Sequence, residues 1–398
     1  MLPDGGENVA KPGSLPRGEG YLLDFPYIWD MERIFTEHLL AAGLLLAAAV
    51  LSPAQTREET QALKSAVEAD LYGNILPFWS RNAVDPAGGF HGTARAYALI
   101  PEQKERIFAS MGSYLEFLRK DYGVEADFFS FNESDLGIDI VHTPAEHLAF
   151  IKEFGAYLDS RGLKTRMLLG DNSDATTFDF IVPALEDPSA HKYIGAVSFH
   201  SWRGCDDETL AKWAGAARAL NVPLLVAEGS TDAAAHQYPA IFAESTFAFY
   251  EINLYVRLCA LCQPLSILQW QITSDYSLLL GDGIYGTEGP LRPTQRFFNI
   301  RQLAMTPENS FVVPTSVNKQ DINVVGYTKP ATGECAVHIV NNAGASEATV
   351  SGLPEGARKA IVHTTNRGMN SEAACYEVTG GTVTVPLPAV SFVTLLVE

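Results

Sequence analysis

Two glutamates in this chain are placed to do chemistry, and each closes an apolar, strand-like run. Glu133 follows Phe128-Phe129-Ser130-Phe131-Asn132, and Glu228 follows Pro223-Leu224-Leu225-Val226-Ala227, 95 positions further on. A carboxylate beside a buried strand is costly unless it is hydrogen-bonded or has chemical work. Two carboxyl groups in one site suit paired acid/base and nucleophilic catalysis, the combination that cleaves glycosidic bonds. Further strand-like runs end in Gly170-Asp171-Asn172, in His200-Ser201-Trp202 and in Trp270. A helix cap or a surface ion pair explains any one strand-end carboxylate. It does not easily explain five polar or aromatic endings in consecutive units.

The elements that must position these groups alternate. Strand-like runs at Ala126–Phe131, Arg166–Leu169, Gly195–Phe199, Leu224–Ala227 and Leu265–Trp270 are separated by helical patterns at Pro144–Ser160, about Thr176–Leu185, Asp207–Leu220 and Pro239–Cys262. Such βα repeats predict parallel strands with helices outside, and their C-terminal ends converge on one face. Thr143, Pro144 and Glu146 form a capping box with proline at the first helical position. A helix is also expected over 108–122, and another over 56–80. After about Thr306 short β-rich pieces separated by turn signals predict an antiparallel sandwich.

Composition removes several classes of function. The chain has 398 residues, is 47% hydrophobic and only 19% charged, so it is globular. A formal charge of −19 argues against nucleic acid, whose phosphates demand a basic surface, and against anionic membranes. Five scattered cysteines make no disulfide framework, and Cys259-x-x-Cys262, within an apolar helical stretch, reads as buried inert thiols. No metal or cofactor motif stands out. The apolar run 39–51 is too short for a stable membrane span. As a signal-like segment it weakly favours a secreted or periplasmic location, with an ordinary buried helix as the alternative.

From about residue 110 to the C-terminus the chain resembles glycoside hydrolase family 30, a clan A family of retaining β-glycosidases. The resemblance rests on FFSFNES from Phe128, KTRMLLGDNSD from Lys164, LEDPSAHKYIGAVSFHSW ending at Trp202, LLVAEGS around Glu228 and LSILQWQIT around Trp270. It implies a (β/α)8 TIM-type barrel followed by a β-sandwich. The recognisable strands would be the fourth to eighth, the first ones being divergent or missing. It also implies Glu133 as acid/base, Glu228 as nucleophile and Asn132 as a ligand of a sugar hydroxyl. Asp171, His200 and Trp202 would line the subsite over a Trp270 floor, the substrate being a β-glycoside or glycan, with no cofactor. A stretch over about 60–100, from Leu71-Tyr72-Gly73-Asn74 to Gly88-Gly89-Phe90-His91-Gly92, resembles the start of the N-acylglucosamine 2-epimerase superfamily. The expected organisation is therefore a lead over 1–57, an epimerase-like head over 58–107, a barrel over 108–305 and a sandwich over 306–398. A non-catalytic carbohydrate-binding protein and a sugar 2-epimerase are the alternative functions.

Overall fold

The computed structural model of the protein describes residues 98–137, 140–272 and 275–397, with the backbone of two-residue strands at Val84–Asp85, Phe90–His91 and Ala94–Arg95. The lead, the helix over 56–80, the signal-like run 39–51 and nearly all of the epimerase-like head lie outside the described residues.

Helix α1 (Lys104–Tyr122) starts four residues ahead of the expected position 108 and buries Ile107, Phe108, Met111 and Leu115. It stops at Gly123, whose φ of 67° suits a residue without Cβ. Five strands follow: β1 (Phe128–Phe129), β2 (Arg166–Asn172), β3 (Ile194–His200), β4 (Leu224–Gly229) and β5 (Ser266–Gln269). They form one parallel sheet in chain order. Helices α2 (Pro144–Ser160), α3 (Asp207–Leu220) and α4 (Ser245–Cys262) make the crossovers, and α2 carries the expected capping box.

Two helical expectations are corrected. The run near 176–185 splits into a 3-10 turn at Ala175–Phe180 and a short helix at Val182–Glu186, with a proline at its start. The run 239–262 breaks at Glu244, whose extended backbone begins α4 afresh after a 3-10 turn.

Side chains alternate across the sheet with period two. Met167, Leu169, Val197, Phe199, Leu224 and Val226 belong to the main core with the helices. Leu168, Ala196 and Leu225 gather with Phe128 on the opposite, inner face. This is the five-strand arc of a TIM-type barrel. Trp213 of α3 is fully buried, stacks on Phe199 at 4.9 Å and donates its indole N–H to Ala175 O at 2.9 Å.

Helix α5 (Gln295–Leu303) leads into the sandwich. Its six-stranded sheet joins β6 (Phe311–Val313), β7 (Ile322–Lys329), β8 (Glu334–Asn341), β10 (Lys359–Asn366), β11 (Met369–Glu377) and β13 (Ser391–Val397). A two-stranded sheet, β9 (Ser346–Ser351) with β12 (Thr382–Leu387), covers one face over a core of Val337, Ile339, Val362, Val383, Val385 and Leu395. From the other face Val325, Val340 and Phe392 join the barrel core. Gln302 of α5 pins the junction: its amide donates to His363 O, Phe392 O and Thr394 Oγ1 and accepts from Thr365 Oγ1 at 2.8 Å. Among the described residues no helix is long and apolar enough to cross a membrane.

Candidate active site

The polar groups that end β1 to β4 meet on one face, and bulges do the aiming. The β2–β3 ladder slips between Gly170 and Asn172, so Asp171 leaves the ladder with φ 63°. Gly170 is required beside it: at φ 103° a Cβ there would lie 2.3 Å from Ser198 O. The β3–β4 ladder slips again between Phe199 and His200, bringing His200 opposite Glu228. Past β1, Glu133 takes φ 49° while its N–H donates to Asp171 O at 3.0 Å. Two side chains of one site thus share unusual backbone, a strain that the surrounding fold must hold.

His200 sits at the centre with no accessible surface. Its Nδ1 lies 2.9 Å from Glu133 Oε1 and 3.2 Å from Glu228 Oε2, and its Nε2 lies 3.3 Å from Asp171 Oδ1. Burial alone would depress the imidazole, but Glu228, Asp171 and Glu133 outweigh it and hold it well above its ordinary value. Both ring nitrogens thus stand within hydrogen-bond reach of carboxylate oxygens. Burial raises the Glu133 carboxyl above the usual carboxylate range, His200 opposes that rise, and Glu228 and Asp135 add to it.

Glu228 is held from two further sides. Trp202 Nε1 donates to Oε2 at 3.1 Å, and Asn132 Nδ2 approaches Oε1 at a long 3.5 Å. Asp171 accepts from Ser130 Oγ at 2.6 Å, and Ser198 Oγ lies 3.5 Å away. Behind the bulge, Gly170 N–H donates to His147 Nε2 at 3.1 Å, which requires a neutral ring; burial takes His147 down to about 3.

The expected subsite residues divide by access. Asn132 is exposed and Trp270 half-buried, whereas Asp171 and Trp202 are buried and His200 is sealed. The Asp171 carboxylate meets His200, Ser130 and Ser198, and the His200 ring stands between it and the two glutamates. Trp270 stands beside β4, its backbone N–H donating to Gly229 O at 2.9 Å, and packs with Trp202 and Tyr276.

Glu133, His200 and Glu228 are also, among the described residues, a trio whose donor atoms lie within 4.8 Å of one another, close enough to hold a cation. The imidazole and the carboxylates already engage one another there, and a cation would have to displace those contacts. Cys259 and Cys262 are free and buried, their thiols raised by burial to about 11 and about 12, which fits inert groups.

Sequence reasoning missed the supports: Ser130, Ser230, His147, Tyr276 and the buried Glu251–Arg296 pair. Glu251 carried a usable signal, since it stands three and four residues from Ala248 and Tyr255 on the apolar side of its helix.

No family model and no curated protein matches the chain. Solved structures do. A GH30 endoxylanase from Clostridium papyrosolvens C71 superposes with a TM-score of 0.62 at 17% identity, covering 77% of this chain and 75% of its own. A glycoside hydrolase family 30 subfamily 8 xylanase from Clostridium acetobutylicum gives 0.64 at 14% identity, with the same coverage. A monomeric beta-xylosidase from Caulobacter crescentus CB15 gives 0.52 at 14% identity, covering 74% of each chain. At these identities the likeness is one of fold: a TIM-type barrel with an attached sandwich.

Proposed function

We propose that the protein is a retaining β-glycoside hydrolase of the family 30 type, with Glu133 as acid/base and Glu228 as nucleophile. The observation that carries this reading is the approach of the two carboxyl groups, a Glu133 oxygen lying within 4.8 Å of a Glu228 oxygen. Retaining glycosidases hold their carboxyl groups about 5–5.5 Å apart, whereas inverting ones leave about 6.5–9.5 Å for a water.

Each glutamate has an oxygen for the work. His200 engages Oε1 of Glu133, and burial favours the protonated acid, so Oε2 is the atom to present a proton to the glycosidic oxygen. The Trp202 indole and His200 hold Oε2 of Glu228, which aims Oε1 at the anomeric carbon. Attack by Oε1 forms the glycosyl–enzyme ester as the leaving oxygen takes the Glu133 proton. With the Glu228 charge gone, Glu133 carboxylate then takes a proton from water, whose oxygen attacks the same carbon and frees Glu228. Asn132, exposed beside Glu228, is placed to bind a hydroxyl next to that carbon, and Trp270 to offer an apolar face to a sugar ring.

The fold neighbours make β-xylosides and xylan the first substrates to try. Purified protein would be incubated with a panel of aryl β-glycosides and soluble xylan, wild type beside Glu228→Gln, with the product anomer read by NMR. Turnover by wild type alone, with retained configuration, is the expected result. Binding of sugar without release by either protein would mean a carbohydrate-binding module instead. Inverted product, or turnover that survives Glu228→Gln, would overturn the assignment.

A further inference from the structure

Behind the candidate site lies a fully buried ion pair that the proposed chemistry does not use. Arg296 of α5 is 0% exposed and Glu251 of α4 is 1% exposed. They bond in fork fashion, Nε to Oε2 at 2.9 Å and Nη2 to Oε1 at 2.8 Å. The guanidinium also lies 5.0 Å from the Phe242 ring centre and 5.2 Å from that of Phe247, so it is dry on its faces. A pair this buried is a poor stabiliser, because desolvation offsets most of its attraction. Its placement has a different consequence.

Two paths run from the pair to Glu228. On the first, Ser230 Oγ donates to Glu251 Oε1 at 2.8 Å, Ser201 Oγ donates to Ser230 O at 2.6 Å, and Ser201 N–H donates to the backbone carbonyl of Glu228 at 3.0 Å. On the second, Arg296 Nη1 donates to Tyr276 O and Ser277 O at 2.9 and 3.0 Å. The Tyr276 ring meets Trp202 edge-on at 4.8 Å, and the Trp202 indole donates to the Glu228 carboxylate at 3.1 Å. One path grips the main chain of Glu228 and the other its side chain.

We infer that Glu251 and Arg296 are positioning residues that set the nucleophile from both ends. This rests on the reading of Glu228 as nucleophile. An error of about 1 Å at a reacting carboxylate costs up to roughly 100-fold in rate, far more than it costs in ground-state binding. Breaking the pair therefore lowers kcat while KM changes little.

The test compares wild type with Arg296→Lys, which keeps charge but loses the fork and the two carbonyl bonds, and with the double variant Glu251→Leu/Arg296→Met, which fills the volume without leaving an unpaired charge. Two readouts are taken: kcat and KM on the best aryl glycoside, and the indole N–H resonance of Trp202, assigned with Trp202→Phe. The expected result is a loss of roughly 10- to 100-fold in kcat, KM within about twofold, and an indole signal moved toward that of Glu228→Ala. A folded double variant with wild-type kcat and an unmoved indole signal would reduce the pair to a structural role. The indole signal reports on the Trp202–Glu228 bond even if no glycoside is turned over, so loss of the proposed activity and loss of this inference are read separately.

Discussion

His200 Nδ1 lies between a Glu133 oxygen and a Glu228 oxygen, 2.9 Å from the first and 3.2 Å from the second. The two carboxyl groups are thus coupled through one buried imidazole as well as through space. A change of charge on either is felt by the other through that ring.

Glu133→Gln keeps the shape of the side chain and removes its proton. Glycosides with poor leaving groups should lose about 10²–10⁴-fold in kcat/KM, while those with very acidic phenols lose much less at the first step. A plot of log kcat/KM against leaving-group acidity, steeper for the variant than for wild type, checks this. Equal losses across the series would count against Glu133 as the acid.

His200→Asn should move the alkaline limb of the pH–rate profile. Burial raises the Glu133 carboxyl and His200 restrains that rise. Without the His200 ring Glu133 keeps its proton to higher pH, so activity is lost at higher pH than in wild type. The profile of kcat/KM against pH decides, and a limb displaced downward would contradict the coupling.

Acid should destabilise the fold through three other histidines. Burial lowers His142 to about 4, and His147 and His338 each to about 3. Unfolded, each titrates near 6.5, so between that value and the folded one the unfolded chain binds more protons. Their stabilising contribution is present above about pH 6.5 and is lost as pH falls below it, by up to about 1.4 kcal/mol per pH unit for each proton taken up. His200 has the opposite sign, its contribution fading as pH rises through its raised folded value. Calorimetric unfolding near pH 5 in buffers of different ionisation enthalpy should report net proton uptake.

Gln302→Leu should loosen the joint between barrel and sandwich. The substitution leaves two carbonyls and two threonine hydroxyls without the amide they share. At about 1–3 kcal/mol for a buried group left unsatisfied, and about 2 °C of Tm per kcal/mol in a chain of this length, Tm should fall by roughly 2–6 °C. An unchanged Tm would mean that the neighbouring groups find other partners.

The sequence by itself determined the parallel strand order, two crossover helices to the residue, and Glu133, His200 and Glu228 as strand-end groups. Those features are local: period-two runs, capping boxes and Gly or Asn stops are written within a few residues of where they act. In the sandwich the edge strand β11 leaves little trace in the sequence, because most of its residues are exposed and show no alternation. Only the tertiary structure decided that His200 is buried against both glutamates. That outcome depends on bulges at Asp171 and before His200, register slips that arise between strands and of which Gly170 marks only the first. It decided equally that Glu251 on one helix and Arg296 on another meet beneath Glu228, since two buried charges 45 residues apart become partners only when the chain packs them where no water can take their place.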